Sequence, residues 1–324
     1  MKISLSGIKP TGSPHLGNLY GMILPAIALQ ETHRSLYFLA DYHALTTARN
    51  PTEVQRHSLE IAATFLAFGL DPDGNSILFR QSSVPEVHEL SWMLSCVTGV
   101  GTMNRCHAVK AAEATGASMN LGTYTYPALM AADILLYGAD VVPVGRDQHQ
   151  HVQVAQEMAT HFNVFYGPTL KVPEVLISPT ATVIGSDGQK MAKSRGNHLP
   201  IFASDGDIAR YVQKMKTDST PLESPKDPGE CPVAQLFRVV APPSEVADLE
   251  RRYWEGGYGY GHAKSRLLEA LIDFIGPRRS EYRRLMDDPV TIEMYLQRGA
   301  IEARSEASKI IPKVRQAVGL PRNP

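Results

Sequence analysis

The chain has 324 residues, 43% of them hydrophobic, enough to bury one substantial α/β core and to carry a smaller second domain. Its formal net charge of −1 excludes nucleic-acid binding through overall charge, so any RNA contact must use local basic patches. Cys96, Cys106 and Cys231 form no CxxC pair and no zinc spacing, the N-terminus has no secretion-signal pattern and no window approaches a membrane span; reduced thiols in a cytoplasmic protein without membrane association are expected.

In chain order, Ile3-Ser4-Leu5-Ser6 reads as a strand that enters the Gly/Pro-rich turn Gly7-Ile8-Lys9-Pro10-Thr11-Gly12-Ser13-Pro14-His15-Leu16-Gly17-Asn18. Apolar residues then recur on a helical period to about residue 32, with a kink or stop expected at Pro25. A strand, a Gly/Pro turn and a helix N-terminus together make an anion site, because orphan N–H groups and the positive end of the dipole face the same point. Gly17 lets a nucleotide approach the backbone, and His15 and Asn18 can donate to a phosphate that gains charge. Taken alone, the segment also fits a plain strand-to-helix connection.

Residues 35–40 form a continuous apolar run, the pattern of a parallel strand buried on both faces, and polar residues 41–47 follow where open α/β sheets bind ligands. A helix over 52–69, a strand over 76–80 and a helix over 85–98 continue the alternation, which predicts a parallel sheet with right-handed crossovers. Residues 99–122, rich in Gly, Ala, Thr and Ser, read as a mobile insertion and lid edge. A helix over 127–137 feeds a fourth strand over 140–144, and Gln148 opens another helix running to about residue 163. His149 and His151 form an HxH pair without a third ligand nearby, and read as structural.

Short β-prone pieces over 166–199 lead to Lys190-Met191-Ala192-Lys193-Ser194, flanked by Gly-bearing segments. Two ammonium groups three residues apart in an irregular loop suit a phosphate chain. An exposed basic turn is the simpler reading of the loop alone. Helical periodicity dominates 205–318, with breaks at 221–229 and 256–261 and its clearest stripe at Leu267, Leu268, Leu271, Ile272 and Ile275.

His15-Leu16-Gly17-Asn18 resembles the HIGH signature of class I aminoacyl-tRNA synthetases, and Lys190 to Ser194 resembles their KMSKS loop. Tyr126-Pro127-Ala128-Leu129-Met130-Ala131-Ala132-Asp133 and Val142-Pro143-Val144-Gly145-Arg146-Asp147-Gln148 are similar to pocket segments of the tryptophan-charging members. The resemblance covers nearly the whole chain. It implies an α/β fold: a Rossmann-like parallel-sheet catalytic domain over 1–200, including the insertion at about 99–122 and the loop 190–194, with a smaller all-helical C-terminal domain. Residues 201–290 would read the anticodon, and 291–324 would pack back as a C-terminal helix.

The implied reaction is formation of tryptophanyl-adenylate from L-tryptophan and ATP with its Mg²⁺, followed by transfer to tRNA(Trp). No protein-bound metal and no organic cofactor are expected, and a homodimer is implied. Lys190, Lys193 and His15 would be catalytic, stabilising the charge that builds up as pyrophosphate departs. Lys9, Pro10, Thr11, Gly17, Asn18, Gly145, Arg146, Asp147, Val183, Met191, Ala192 and Ser194 would hold ATP. Asp133 would accept the indole N–H, while Tyr126, Met130, Leu5, His43, Val142, Val144 and Gln148 complete the amino-acid site.

Arg251-Arg252, Arg278-Arg279 and Arg283-Arg284 are candidate phosphate contacts for tRNA, with Tyr253 and Trp254 placed to stack on a base, although solvated helix faces account equally for such charges. Lys9, His15, Arg146 and Ala192 depart from the common bacterial pattern. The first three add cationic or donor capacity, implying a more basic ATP site with altered metal or inhibitor response. A tyrosine-charging enzyme, an adenylate-forming enzyme without tRNA and an inactive RNA-binding paralogue are the alternatives.

Overall fold

The structure is a computed structural model, and it describes residues 1–106, 109–110, 119–145, 149–177 and 182–322. By their contacts these fall into two compact units, Met1–Gly12 with Pro25–Pro179 and Asp288–Pro324, and Ser13–Leu24 with Thr180–Asp287.

The first unit is built on five parallel strands, β1 (Ile3–Ile8), β2 (Arg34–Leu39), β3 (Ser76–Arg80), β4 (Val141–Val144) and β5 (Glu174–Ile177), in the order β3-β2-β1-β4-β5. This is the α/β Rossmann-like sheet expected from the alternating pattern. The central strands are apolar on both faces because helices cover both, as the burial of Leu5, Leu36, Phe38, Ile77 and Phe79 shows. The order reverses between β1 and β4, and in such sheets the crevice beyond the carboxyl ends at that point is where ligands bind. Lys9 and Gly145 stand at those two ends.

The helix after the first turn is more broken than its apolar period suggests. It runs as a short α turn, Leu16–Asn18, a π segment, Leu19–Ile23, an α segment, Leu24–Ala28, and a 3₁₀ turn, Leu29–Glu31. The π segment covers the turn before Pro25, where the missing N–H and the ring remove the i−4 bond and crowd that carbonyl, as the kink expected at Pro25 requires.

Helix Leu121–Leu135 starts six residues before Pro127, where the sequence suggested it would begin. Asn120 caps it, its side-chain oxygen accepting from Thr123 N at 2.9 Å. Within the expected insertion, Val100–Asn104 is helical; the rest of that expectation falls largely on 107–108 and 111–118, outside the described residues.

The C-terminal helix, Pro289–Ala317, packs on β3 and adds Ala303, Ala307, Ile311 and Val314 to the main core. Its polar margin is fastened by a bidentate pair from Arg80 to Glu293 at 2.6 Å, and by Arg304 to Glu86 at 2.9 Å and Arg315 to Glu89 at 2.7 Å. Gly299 allows the close approach, for a Cβ there would stand 2.1 Å from the Leu78 carbonyl oxygen.

The second unit gathers helices Asp205–Lys214, Pro232–Val240, Pro243–Glu255 and Tyr260–Asp287. Leu267, Leu271 and Ile275 are fully buried, as the stripe predicts, alongside Val233, Leu236, Phe237 and Leu249. Lys226 is the unit's buried cation, its Nζ donating to the carbonyls of Pro221, Leu222 and Ser224 at 3.0–3.1 Å. Those three bonds satisfy all three ammonium donors and fold the Pro-rich connector around them. Among the described residues no helix is long and apolar enough to cross a membrane.

Gly299→Ala tests the helix-on-sheet contact. Alanine favours the helix by about 1 kcal/mol, yet overpacking against a backbone carbonyl should leave the variant about 1–3 kcal/mol less stable. Urea unfolding of the two proteins measures the difference.

Candidate active site

The phosphate-binding half of the expected site lies within the second unit. His15 N donates to Asn18 Oδ1 at 3.1 Å, closing the first helical turn. Leu16 N donates to Leu199 O at 3.1 Å and Ile201 N to Pro14 O at 3.1 Å, so the HIGH-like turn is sewn to the segment that follows the basic loop. Gly17 lies against that loop: an added Cβ would stand 2.8 Å from the His15 ring and 3.6 Å from Met191 Cβ. The two motifs, remote in sequence, are thus adjacent.

The basic loop is shaped by a residue that sequence reading passed over. Asn197, 2% exposed, donates from Nδ2 to Asp187 Oδ1 at 2.7 Å and Lys190 O at 3.2 Å, and accepts from Ala192 N at 2.8 Å. Its amide therefore spans the loop and fixes its curvature. Met191 is buried, with its N–H given to Val183 O at 2.9 Å, which leaves Lys190, Lys193 and Ser194 on the exposed side. A polar residue three places beyond Ser194 was the only signal in the sequence.

His15 is buried, and burial, with the nearby Lys193 and His198, holds its imidazole down at about 4. With its pKa held down it is uncharged at pH 7, so of the cationic or donor capacity expected of it, the donor part is what it can offer. Lys9 lies in the first unit, where its Nζ donates to Thr46 Oγ1 at 2.9 Å; burial lowers its pKa. Pro10 is buried beside it and Thr11 N donates to Lys9 O at 2.9 Å. Arg146, Asp147 and Gln148 lie outside the described residues.

The amino-acid half is in the first unit. Helix Leu121–Leu135 carries one charged side chain, Asp133, which is 1% exposed and lies in its apolar C-terminal half. Isolated burial of that carboxylate would be prohibitive, and three hydrogen bonds offset it. Gln81 Nε2 donates to Oδ1 at 2.9 Å and Oδ2 at 2.8 Å, and His43 Nε2 meets Oδ2 at 2.9 Å. Burial raises the carboxyl's pKa, and the bonds from His43 and Gln81 act against that rise.

The His43 ring meets Tyr126 edge-on at 6.0 Å, and Tyr126 OH pairs with His151 Nε2 at 2.6 Å. Tyr126, His43 and Asp133 are thereby brought together, and His151 of the HxH pair supports them. Leu5 and Val142 are buried in the main core, with Met130 and Val144 packed against it. Gln81 is the second residue that sequence reading missed. It stands one place beyond β3, at the carboxyl edge that marked residues 41–47 as interesting beyond β2.

The arginine pairs proposed for tRNA contact are engaged locally. Arg251 binds Asp248 and Glu255, Arg252 binds Asp248, Arg279 binds Asp205 and Arg284 binds Glu281. The pairs of Arg251, Arg252 and Arg284 are exposed and so worth little, whereas Arg279 is largely buried. Tyr253 is fully buried against Tyr258, Tyr260 and Cys231, so it cannot stack on a base, which corrects that expectation; Trp254 is 55% exposed.

Comparison with known proteins gives consistent findings. The sequence profile of the family described as tRNA synthetases class I (W and Y) matches residues 2–276. The chain is 42% identical to a tryptophan–tRNA ligase of Rhodopirellula baltica, over 98% of this chain and 99% of that one. It is 41% identical to the tryptophan–tRNA ligase of Fusobacterium nucleatum, over 99% and 98%. In structure it is similar to the tryptophanyl-tRNA synthetase of Campylobacter jejuni complexed with ADP and tryptophan, with a TM-score of 0.90 and 37% identity over 99% of this chain and 100% of that one.

The His15 imidazole makes stability depend on pH. Between its ordinary 6.5 and about 4, the unfolded chain binds a proton that the folded chain refuses, so stability rises with pH through that window and is lost as pH falls toward 4. Urea midpoints at about pH 7 and about pH 5 should therefore fall further in the wild type than in His15→Asn.

Proposed function

The chain belongs to the class I tRNA synthetases of tryptophan and tyrosine, and from that membership we propose that it activates L-tryptophan with ATP and transfers it to the 3′ end of tRNA(Trp). The single observation that carries the choice of amino acid is Asp133, a buried carboxylate held by donors and the one charged side chain of its helix. The indole N–H is a donor without acceptor capacity, so a fixed acceptor selects it. Phenylalanine would leave that acceptor unpaired, at a cost of about 1–3 kcal/mol or more. Tyrosine could satisfy it but would not fill an indole-shaped volume. The Met130 thioether is suited to an aromatic face.

In the first step a carboxylate oxygen of tryptophan bonds to the α-phosphorus of ATP, and the bond to pyrophosphate breaks. No nucleophilic side chain takes part. The protein aligns the reactants and stabilises the growing charge on the phosphates. Lys190 and Lys193 serve the β and γ phosphates, with Ser194 as a supporting donor. The neutral His15 and Asn18 donate to the α or β phosphate. ATP enters with its Mg²⁺ as one substrate complex, its ion held mainly by phosphates and water. Val183, Met191 and Ala192 carry the backbone of the loop beneath the triphosphate, and Lys9 to Thr11, Gly17 and Gly145 serve the nucleotide.

In the second step tryptophan passes to tRNA, with the helical region 205–290 reading the anticodon. Trp254 is the stacking surface there, and the exposed Arg251, Arg252 and Arg284 exchange their carboxylates for phosphates. A homodimer in the cytoplasm completes the reading. Trp92 and Phe165, both strongly exposed aromatics of the first unit, supply apolar surface that supports it.

Pyrophosphate exchange run with tryptophan and with tyrosine tests the proposal, together with charging of tRNA(Trp). Exchange should require tryptophan, and exchange supported by tyrosine alone would overturn the choice of substrate. Lys193→Ala should lower the exchange kcat by about 10²–10³-fold with little change in the KM for tryptophan. Lys9→Gln in the same assay checks the more basic ATP site: the Mg²⁺ dependence should differ from that of the wild type, and coincident titrations would remove the idea.

A further inference from the structure

The Gln81 side chain makes four hydrogen bonds, all within the first unit, and each constrains the next. Its Oε1 accepts from the backbone N–H groups of Tyr42 at 3.1 Å and His43 at 3.4 Å. Two donors on that oxygen decide the orientation of the amide, so the NH₂ end must face Asp133. Nε2 then reaches both carboxylate oxygens, at 2.9 and 2.8 Å. The side chain is 1% exposed, so no water competes for these bonds.

The bonds are distributed unequally over the carboxylate. Oδ2 takes donors from Gln81 and His43, whereas Oδ1 takes one, from Gln81. An ionised carboxylate offers about four acceptor positions, two on each oxygen. The position left on Oδ1 is therefore the one fixed in direction by its neighbours.

We infer that Gln81 is a specificity-positioning residue, which aims Oδ1 of Asp133 at the indole N–H of the amino-acid substrate while His43 holds Oδ2 from the other side. This rests on the tryptophan reading above. Gln81 itself need not touch the substrate, because it acts through the angle of the carboxylate. It also ties that angle to the backbone at the start of helix Asp41–Ala44, since the same amide grips Tyr42 N and His43 N. The Asp41 carboxylate adds a second tie between the same two segments, accepting from Ser82 N at 2.9 Å and from the Ser82 hydroxyl.

The test compares L-tryptophan with L-β-(benzothiophen-3-yl)alanine, in which sulfur replaces the indole N–H at nearly the same shape. Exchange kcat/KM is measured for both substrates in wild type, Gln81→Met and Gln81→Ala; the methionine variant preserves volume should the alanine variant not fold. Wild type should prefer tryptophan by at least about 100-fold, as expected of a site built around a hydrogen bond. Gln81→Met should lose about 10–100-fold with tryptophan while changing less than about threefold with the analogue, so the preference collapses. A general structural defect would instead lower both substrates alike, and that result, or an unchanged preference, overturns the role of Gln81. A wild type that shows no preference, or does not use tryptophan, overturns the tryptophan reading and this inference with it.

Discussion

A carboxylate cannot be taken out of water without donors waiting for it, and Asp133 is the place where this chain meets that constraint. Its donors come from elsewhere in the unit: Gln81 from the end of β3 and His43 from the short helix after β2. Each must arrive at a fixed distance, and this couples the helix to the carboxyl edges of two neighbouring strands. Tyr126 and His151 extend the coupling along the next helix. The amino-acid half of the site is therefore an outcome of how the core satisfies one buried charge.

The phosphate half follows the opposite rule. Its lysines stay exposed, and order is supplied by Asn197, itself anchored on the Asp187 carboxylate. Asn197 spans the loop with amide bonds, and Met191 plugs it into the core. His15 stays uncharged next to Lys193, and so avoids the repulsion that an imidazolium would create before any polyanion arrives. Lys190 and Lys193 stand on the exposed side of the loop, and the bonds that fix its curvature run through the Asn197 amide.

The sheet, its strands and the two phosphate motifs were legible because each is written locally, in apolar runs, Gly/Pro turns and paired lysines. Asp133 was legible only through its surrounding motif, since a lone Asp on an apolar helix carries no sign of its partners. Gln81 and Asn197 were invisible for the same reason from the other side: an amide gains its role from atoms far away in sequence. The charge state of His15 depends on burial and on Lys193, which no spacing encodes. Tyr253 was misread because an aromatic next to basic residues looks like a nucleic-acid contact, whereas the fold turns it into the core. The start of helix Leu121–Leu135 was missed because the cap at Asn120 outweighs the usual preference of proline for a first turn.

Residues Ser13–Leu24 leave the strand they follow and join the contact unit of Thr180–Asp287. Through the bonds of Leu16 to Leu199 and Ile201 to Pro14, the HIGH-like turn and the loop with Lys193 share one rigid scaffold. Under the proposed function that scaffold is the triphosphate cradle, and a single contact unit builds it. On that same reading, the stitching of Pro14, Leu16, Leu199 and Ile201 is what sets the spacing between the two phosphate motifs.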